Sequence, residues 1–285
     1  MKGLRSIKNK IKAVKNLGKI AQAMALVSVN KMRKAQSFAL KARPMARTIL
    51  EILKGVRMNH FLLKENKKAK KDLLIVVCTD KGLVGSLNSN ILKEALNFLK
   101  SNENKTDLIL IGKKAVNFFQ KEKFKDLRIV ATFEKFGDYF MVEQTLILSD
   151  FILEAYRRKI YKNVFIVYTH FISTLKQKVN LKRILPLNKT DFEIFGKIES
   201  KLSYFIFEPK KEKFQKIVIP MIFRILIHQF ILEANASEHS ARMVAMKKAS
   251  DNSKKLLSKL TLEYNKIRQE NITQEILDVI RASQF

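Results

Sequence analysis

Apolar residues near the start of the chain recur at Leu4, Ile7, Ile11, Val14, Leu17, Ile20, Met24 and Val27, three or four positions apart. This spacing predicts a long helix with a near-heptad seam, Lys and Arg filling its outer faces. Pro44 is expected to kink or interrupt it, because proline lacks an amide donor and pushes Arg43 towards extended geometry. A polar, Lys-rich stretch, Asn66 to Lys71, then reads as a linker. Past it the texture changes. Short β-rich runs stand at Leu73–Val77, Leu108–Ile111, Arg128–Val130 and Val164–Tyr168, with helical patterns near Asn90–Lys100, Lys113–Lys123 and Phe140–Lys159. Strands alternating with helices predict βαβ units and a mostly parallel, Rossmann-like sheet. Further strands are expected around Lys182–Leu187 and Tyr204–Phe207.

After Pro209 the helical pattern returns and runs to Ser283, with Pro220 expected near its start, where a missing donor costs least. Its apolar or small positions include Ala241, Ala245, Ala249, Leu256, Leu260, Tyr264, Ile267, Ile276 and Val279. Steps mostly of four predict weak or locally right-handed supercoiling. Two such one-sided helices are expected to pair antiparallel, leaving the intervening residues as an excursion. The expected fold class is therefore α/β: an antiparallel coiled coil of terminal helices (residues 1–65 and 210–285) carrying a Rossmann-like domain (residues 66–209).

Charge sharpens this picture. The 285 residues hold 56 Lys or Arg against 26 Asp or Glu, a net charge of +30. From Met1 to Arg57 stand fifteen basic residues and one acid, Glu51. Such a stretch faces a negative partner (acidic protein, anionic lipid or nucleic acid) or is solvated background. The lone Cys78 excludes an internal disulfide and a cysteine-based zinc cluster, and suits a reducing compartment. No apolar signal-peptide core is visible at the start. The most apolar run, Ile217 to Leu232, is broken by Arg224, His228 and Gln229, so a soluble or peripheral protein is expected.

Signals of chemistry are weak. Thr79 to Asn88 follows a strand, precedes a helix and holds Gly82 and Gly85, yet fits neither the Walker nor the GxGxxG spacing. It reads as a tight turn. His60, His170, His228 and His239 are scattered without metal-ligand spacing, and the neighbours Glu238 and His239 point in different directions on a helix. Cys78 ends a buried strand. Met24, Met32, Met243 and Met246 read as core filler, although Met also suits surfaces that repack. No catalytic residue, metal site or cofactor is expected.

Three stretches go beyond pattern: Lys19-Ile20-Ala21-Gln22-Ala23-Met24-Ala25-Leu26-Val27-Ser28 and onward to Gln36; Ala236-Ser237-Glu238-His239-Ser240-Ala241-Arg242-Met243; and Leu262-Glu263-Tyr264-Asn265-Lys266-Ile267-Arg268-Gln269-Glu270-Asn271 onward to Ile276. Together they resemble the gamma subunit of the F-type ATP synthase, as do Asp80 to Asn88 and Tyr204 to Pro209, in order over essentially the whole chain. The resemblance implies a central rotor stalk transmitting torque between a membrane ring of c subunits and a ring of three alpha and three beta subunits. It would couple proton transport to ATP synthesis or hydrolysis, with catalysis on beta and epsilon beside the α/β domain. It implies a peripheral place on the cytoplasmic face of a bacterial membrane. Carried over by motif, Met24 meets beta at an acidic lever region, Arg268 and Gln269 engage a loop of beta, and Thr273 and Glu275 lie near the upper bearing. Ala25 and Ser28-Val29 depart from the family's usual residues, and the two-cysteine chloroplast insertion is absent. The competing readings are a rotary ATPase shaft uncoupled from proton flow and a basic nucleic-acid-binding coiled coil. The latter would need stacking aromatics that the first helix lacks.

Overall fold

A computed structural model of the chain describes residues 2–54, 59–121, 126–134, 142–188 and 210–282. The strand expected at Tyr204–Phe207 and the motif Tyr204 to Pro209 lie outside the described residues. The elements run α1 (Lys2–Lys54), a 3-10 turn (Phe61–Leu63), β1 (Lys71–Val77), α2 (Leu87–Ser101), β2 (Lys105–Ile111) and α3 (Lys113–Phe119). There follow β3 (Ile129–Phe133), α4 (Val142–Arg157), β4 (Tyr161–Phe171), β5 (Gln177–Leu185) and α5 (Lys211–Ala282). The chain forms two compact units: Met1–Val29 with Arg242–Phe285, and Asn30–Ala241. Both long helices contribute to both units.

The larger unit is built on a five-stranded sheet of order β3-β2-β1-β4-β5. β1, β2, β3 and β4 are parallel, and β5 returns antiparallel beside β4. The central strand β1 is buried on both faces from Asp72 to Val77, as a parallel strand covered on two sides must be. One face packs under α2 and α3 through Ile91, Ala95, Phe98, Val116 and Phe119. The other packs under α4 and the lower part of α5. There Ile219, Ile222, Phe223, Leu226, Ile227, Phe230 and Ile231 follow helical spacing and are almost fully buried. This explains the apolar run from Ile217 to Leu232: it covers a sheet face.

Neither proline breaks its helix, and Pro220 departs from its expected place. α1 continues through Pro44 without interruption. α5 begins at Lys211, so Pro220 sits in the helix interior rather than in its first turn. Each removes one backbone hydrogen bond. The flanking residues stay helical because they lie within helices many turns long, so one missing bond is offset by its neighbours.

The smaller unit pairs the start of α1 with the end of α5. At the pairing, a Cβ added to Gly18 would lie 3.1 Å from Ser253 Cβ. Counting away from this contact in opposite directions sets Lys2 against Gln269, and burial on α5 stops at Asn271. The helices are therefore antiparallel. The seam itself differs from the expected one. Along α1 the covered positions are Ile7, Ile11, Val14, Gly18, Ala21, Ala25 and Ser28, whereas Leu17 (59% exposed), Ile20 (58%) and Val27 (53%) face outward. Along α5 they are Met246, Ser250, Ser253, Leu257, Leu260, Tyr264, Ile267 and Asn271, and Leu256, Ile276 and Val279 are exposed. Steps of three and four now alternate, the heptad period of a left-handed supercoil, which replaces the weak or right-handed expectation.

Small residues win the seam because close helix approach leaves no room for larger ones. Two of the buried hydroxyls are satisfied within their own helices: Ser28 Oγ donates to Met24 O (2.7 Å) and Ser253 Oγ to Ala249 O (2.8 Å).

Candidate functional site

The turn after β1 is closed by its own side chains. Asn88 Oδ1 accepts from Thr79 N (3.1 Å), Asn88 Nδ2 donates to Thr79 Oγ1 (2.8 Å), and Thr79 Oγ1 donates to Lys81 O (2.6 Å). Asp80 Oδ1 accepts the Lys113 amide (3.0 Å), so a carboxylate of the chain occupies the start of α3, where an anion would otherwise sit. The tight-turn reading accounts for every one of these contacts. Gly112 (φ +87°) is forced: a Cβ there would come within 2.2 Å of Cys78 O.

The histidines serve packing between elements. His60 Nδ1 accepts the Leu62 amide at 3.3 Å, capping the 3-10 turn, and burial together with Lys216 lowers its pKa. His228 meets Thr145 Oγ1 (3.1 Å), linking α5 to α4, and burial lowers its pKa as well. His170 reaches the buried Glu233 at 2.6 Å, tying the end of β4 to α5. His239 is buried on α5. Burial, with Glu238 nearby, pushes the Cys78 thiol well above its ordinary range, which makes it inert. Met32 and Met246 are buried, as filler should be.

Open polar space of about 1260 Å³ lies between the 3-10 turn, α4 and the start of α5. Two of its three carboxylates hold arginines: Asp150 Oδ1 accepts from Arg224 at 2.7 Å, and Glu154 from Arg157 and Arg158 at 2.7 Å each. Among the described residues no group of three or more His, Cys, Asp or Glu is placed to hold a metal ion.

What remains distinctive is the outward surface of the coiled coil. Arg268, Gln269, Thr273 and Glu275 are all exposed on α5. At about 100° per residue they share an arc of roughly 160° with Ile272, Ile276, Val279 and Ile280. Those four apolar side chains are 45%, 54%, 69% and 48% exposed. Beyond Asn271 the face that carried the seam turns polar, and Gln274 Nε2 bonds Asp278 there (3.1 Å). The amphipathic side thus switches where α1 ends. Met24, half-buried on α1, lies on a second stripe with Leu17, Ile20 and Val27, turned away from the seam. The sequence reading assigned Leu17, Ile20 and Val27 to the seam and so missed this outer stripe. The signal was the small set Gly18, Ala21 and Ser28 running in a competing heptad phase. It left Ile272 and Ile280 out of the site; the change of apolar face at Asn271 was the clue.

The helix tip and the outer stripe both expose apolar side chains. The family model described as ATP synthase matches residues 3–284. An ATP synthase gamma chain of Roseiflexus castenholzii is 35% identical over 288 aligned positions, covering 98% of this chain and 97% of the relative. The chain belongs to the ATP synthase gamma-chain family. A gamma chain of Methylacidiphilum infernorum is 37% identical, with 98% and 97% covered. Among solved structures, the fold matches a chain of the Euglena gracilis mitochondrial ATP synthase OSCP/F1/c-ring assembly. There the TM-score is 0.68 at 18% identity, covering 99% of this chain and 94% of that one. A chain of the rotor from the same source matches at TM-score 0.65. The chain thus has the gamma-subunit role in ATP synthase and is a non-catalytic subunit of that membrane-associated complex.

Proposed function

We propose that the coiled coil is a torque-bearing shaft whose free tip turns inside a ring of three alpha and three beta subunits. Catalysis takes place on beta, and the sheet domain stands with epsilon on a ring of c subunits at the cytoplasmic face of the membrane. The observation that carries this reading is the tip of α5. From Ile272 to Ala282 every residue is exposed, and four apolar side chains share one face. A sleeve around it would cover that face without needing fixed pockets, as a rotating contact requires. Arg268, Gln269, Thr273 and Glu275 stand on the same arc and would meet beta there. Met24, with Leu17, Ile20 and Val27, forms the second bearing stripe. The Lys and Arg between these stripes complement an acidic surface on beta while leaving the contact free to slide.

The experiment is recovery of the tagged chain from its own cells and weighing of the intact complex. Alpha, beta, epsilon and c together are expected. Alpha- and beta-like chains without c would remove the coupling to a membrane ring, and nucleic acid alone would sink the shaft reading.

A further inference from the structure

We propose that a buried polar stripe on α5 is the anchor that locks this helix to the sheet domain against rotation. The buried face of α5 changes character part-way along. Ile222, Leu226, Gln229, Glu233, Ser237 and Ser240 fall within one arc of about 80°, at about 100° per residue. Each of the six is at most 4% exposed. The first two are apolar and the last four polar, so one and the same face turns polar at Gln229.

The polar half meets the end of β4 and the turn that joins β4 to β5. Glu233 Oε2 lies 2.6 Å from His170 Nδ1, and Gln229 Nε2 donates to the other carboxylate oxygen (3.3 Å). Ser237 Oγ donates to Thr169 O (3.1 Å), and Ser240 Oγ donates to Thr174 O. Gln177 Nε2 in turn donates to Ser240 Oγ (3.2 Å). One end of the β4–β5 hairpin thus grips about two turns of helix.

Burying a carboxylate and two hydroxyls carries a desolvation cost that Ile222 and Leu226 avoid on the same face. What the polar set adds is register. An apolar face that shifts to a neighbouring setting still lies apolar against apolar, whereas a hydrogen bond needs one distance and one angle. Turning α5 in place would leave the Glu233 carboxylate and both hydroxyls buried and unpaired. Their position suits the task. α5 runs unbroken to Ala282, and the larger unit ends at Ala241, one residue past Ser240. A turning force passing along α5 between the sheet domain and the coiled coil meets these contacts first. The proposal rests on the reading of the coiled coil as a torque-bearing shaft. Glu233, Ser237 and Ser240 are then positioning residues, which act by holding the angle of α5.

The test uses the intact complex in sealed vesicles, with proton uptake and ATP hydrolysis measured together. The anchor variant is Ser237→Ala with Ser240→Ala. The control, Thr145→Val with Ser149→Ala, removes two equally buried hydroxyls from α4, one of which meets His228 on α5. Melting of the full chain should fall alike for both, so lost stability alone cannot separate them. Protons moved per ATP hydrolysed should fall twofold or more in the anchor variant and stay unchanged in the control. Glu233→Gln, which keeps the size of the side chain and removes its charge, should lower the ratio as the anchor variant does. An unchanged ratio in the anchor variant, or an equal fall in the control, would overturn the proposal. Proton uptake by the unaltered complex checks the shaft reading itself. Its absence would remove both readings, whereas uptake together with a fully coupled anchor variant would remove this one alone.

Discussion

Gly112 and Asp72 show how single positions hold the sheet domain. Alanine at Gly112 would place a Cβ against the Cys78 carbonyl at a backbone angle that L residues avoid. Gly112→Ala should therefore destabilise the domain by about 3 kcal/mol or more, read by urea unfolding. Asp72 has its carboxylate filled by four N–H donors from three asparagines. Asp72→Ala leaves these donors facing an empty site, and a loss of about 2–4 kcal/mol is expected in the same measurement. His60 and His228 give the pH dependence. Burial lowers both below their ordinary 6.5, so the unfolded chain binds more protons than the folded one just below that pH. Their contribution is complete above 6.5 and is lost as pH falls through the folded values. Replacing both by Gln should flatten the acid limb of a melting-temperature profile between about pH 6.5 and 5.

At the scale of elements, the coiled coil has two apolar sides doing different jobs. From Gly18 to Ser28 the seam is lined by Gly18, Ala21, Ala25 and Ser28 against Ser250, Ser253 and Met246, so this part buries little apolar area per turn. Gly18→Leu should overpack it and destabilise the pairing by about 1–3 kcal/mol, seen as faster amide exchange along residues 4–28. Ile20→Ser, on the outer stripe two residues away, should leave that exchange unchanged in the isolated chain. If the two substitutions behaved alike, the assignment of seam and stripe would be wrong. The heptad pattern was legible from the start, but its phase was not. Leu17, Ile20 and Val27 are more apolar than Gly18, Ala21 and Ser28, so apolarity alone points to the wrong face. Close approach of a second helix overrides apolarity by excluding volume, and no local rule reveals where a second helix comes close.

For the whole molecule, the tip of α5 separates folding from assembly. Ile276→Asp together with Ile280→Asp alters exposed side chains of the tip. Thermal melting of the isolated chain should not move. Its affinity for the proposed ring of alpha and beta subunits should fall tenfold or more, because each carboxylate would be buried against the apolar sleeve proposed there. A loss of melting temperature instead would mean that the tip is covered within the chain.

The sequence by itself determined the element order, the βαβ alternation, the two long terminal helices and the family, because hydrophobic period and motif order are local and additive along the chain. Four residues placed by motif on α5 fell on one exposed arc, since helical spacing converts sequence number into angle. Only the tertiary structure decided the seam phase, the continuation of both helices through Pro44 and Pro220, and the packing of the run from Ile219 to Leu232 against a sheet. Each of these depends on which surface approaches which across long separations in the chain, and the free energy of such contacts is written in no single stretch of it.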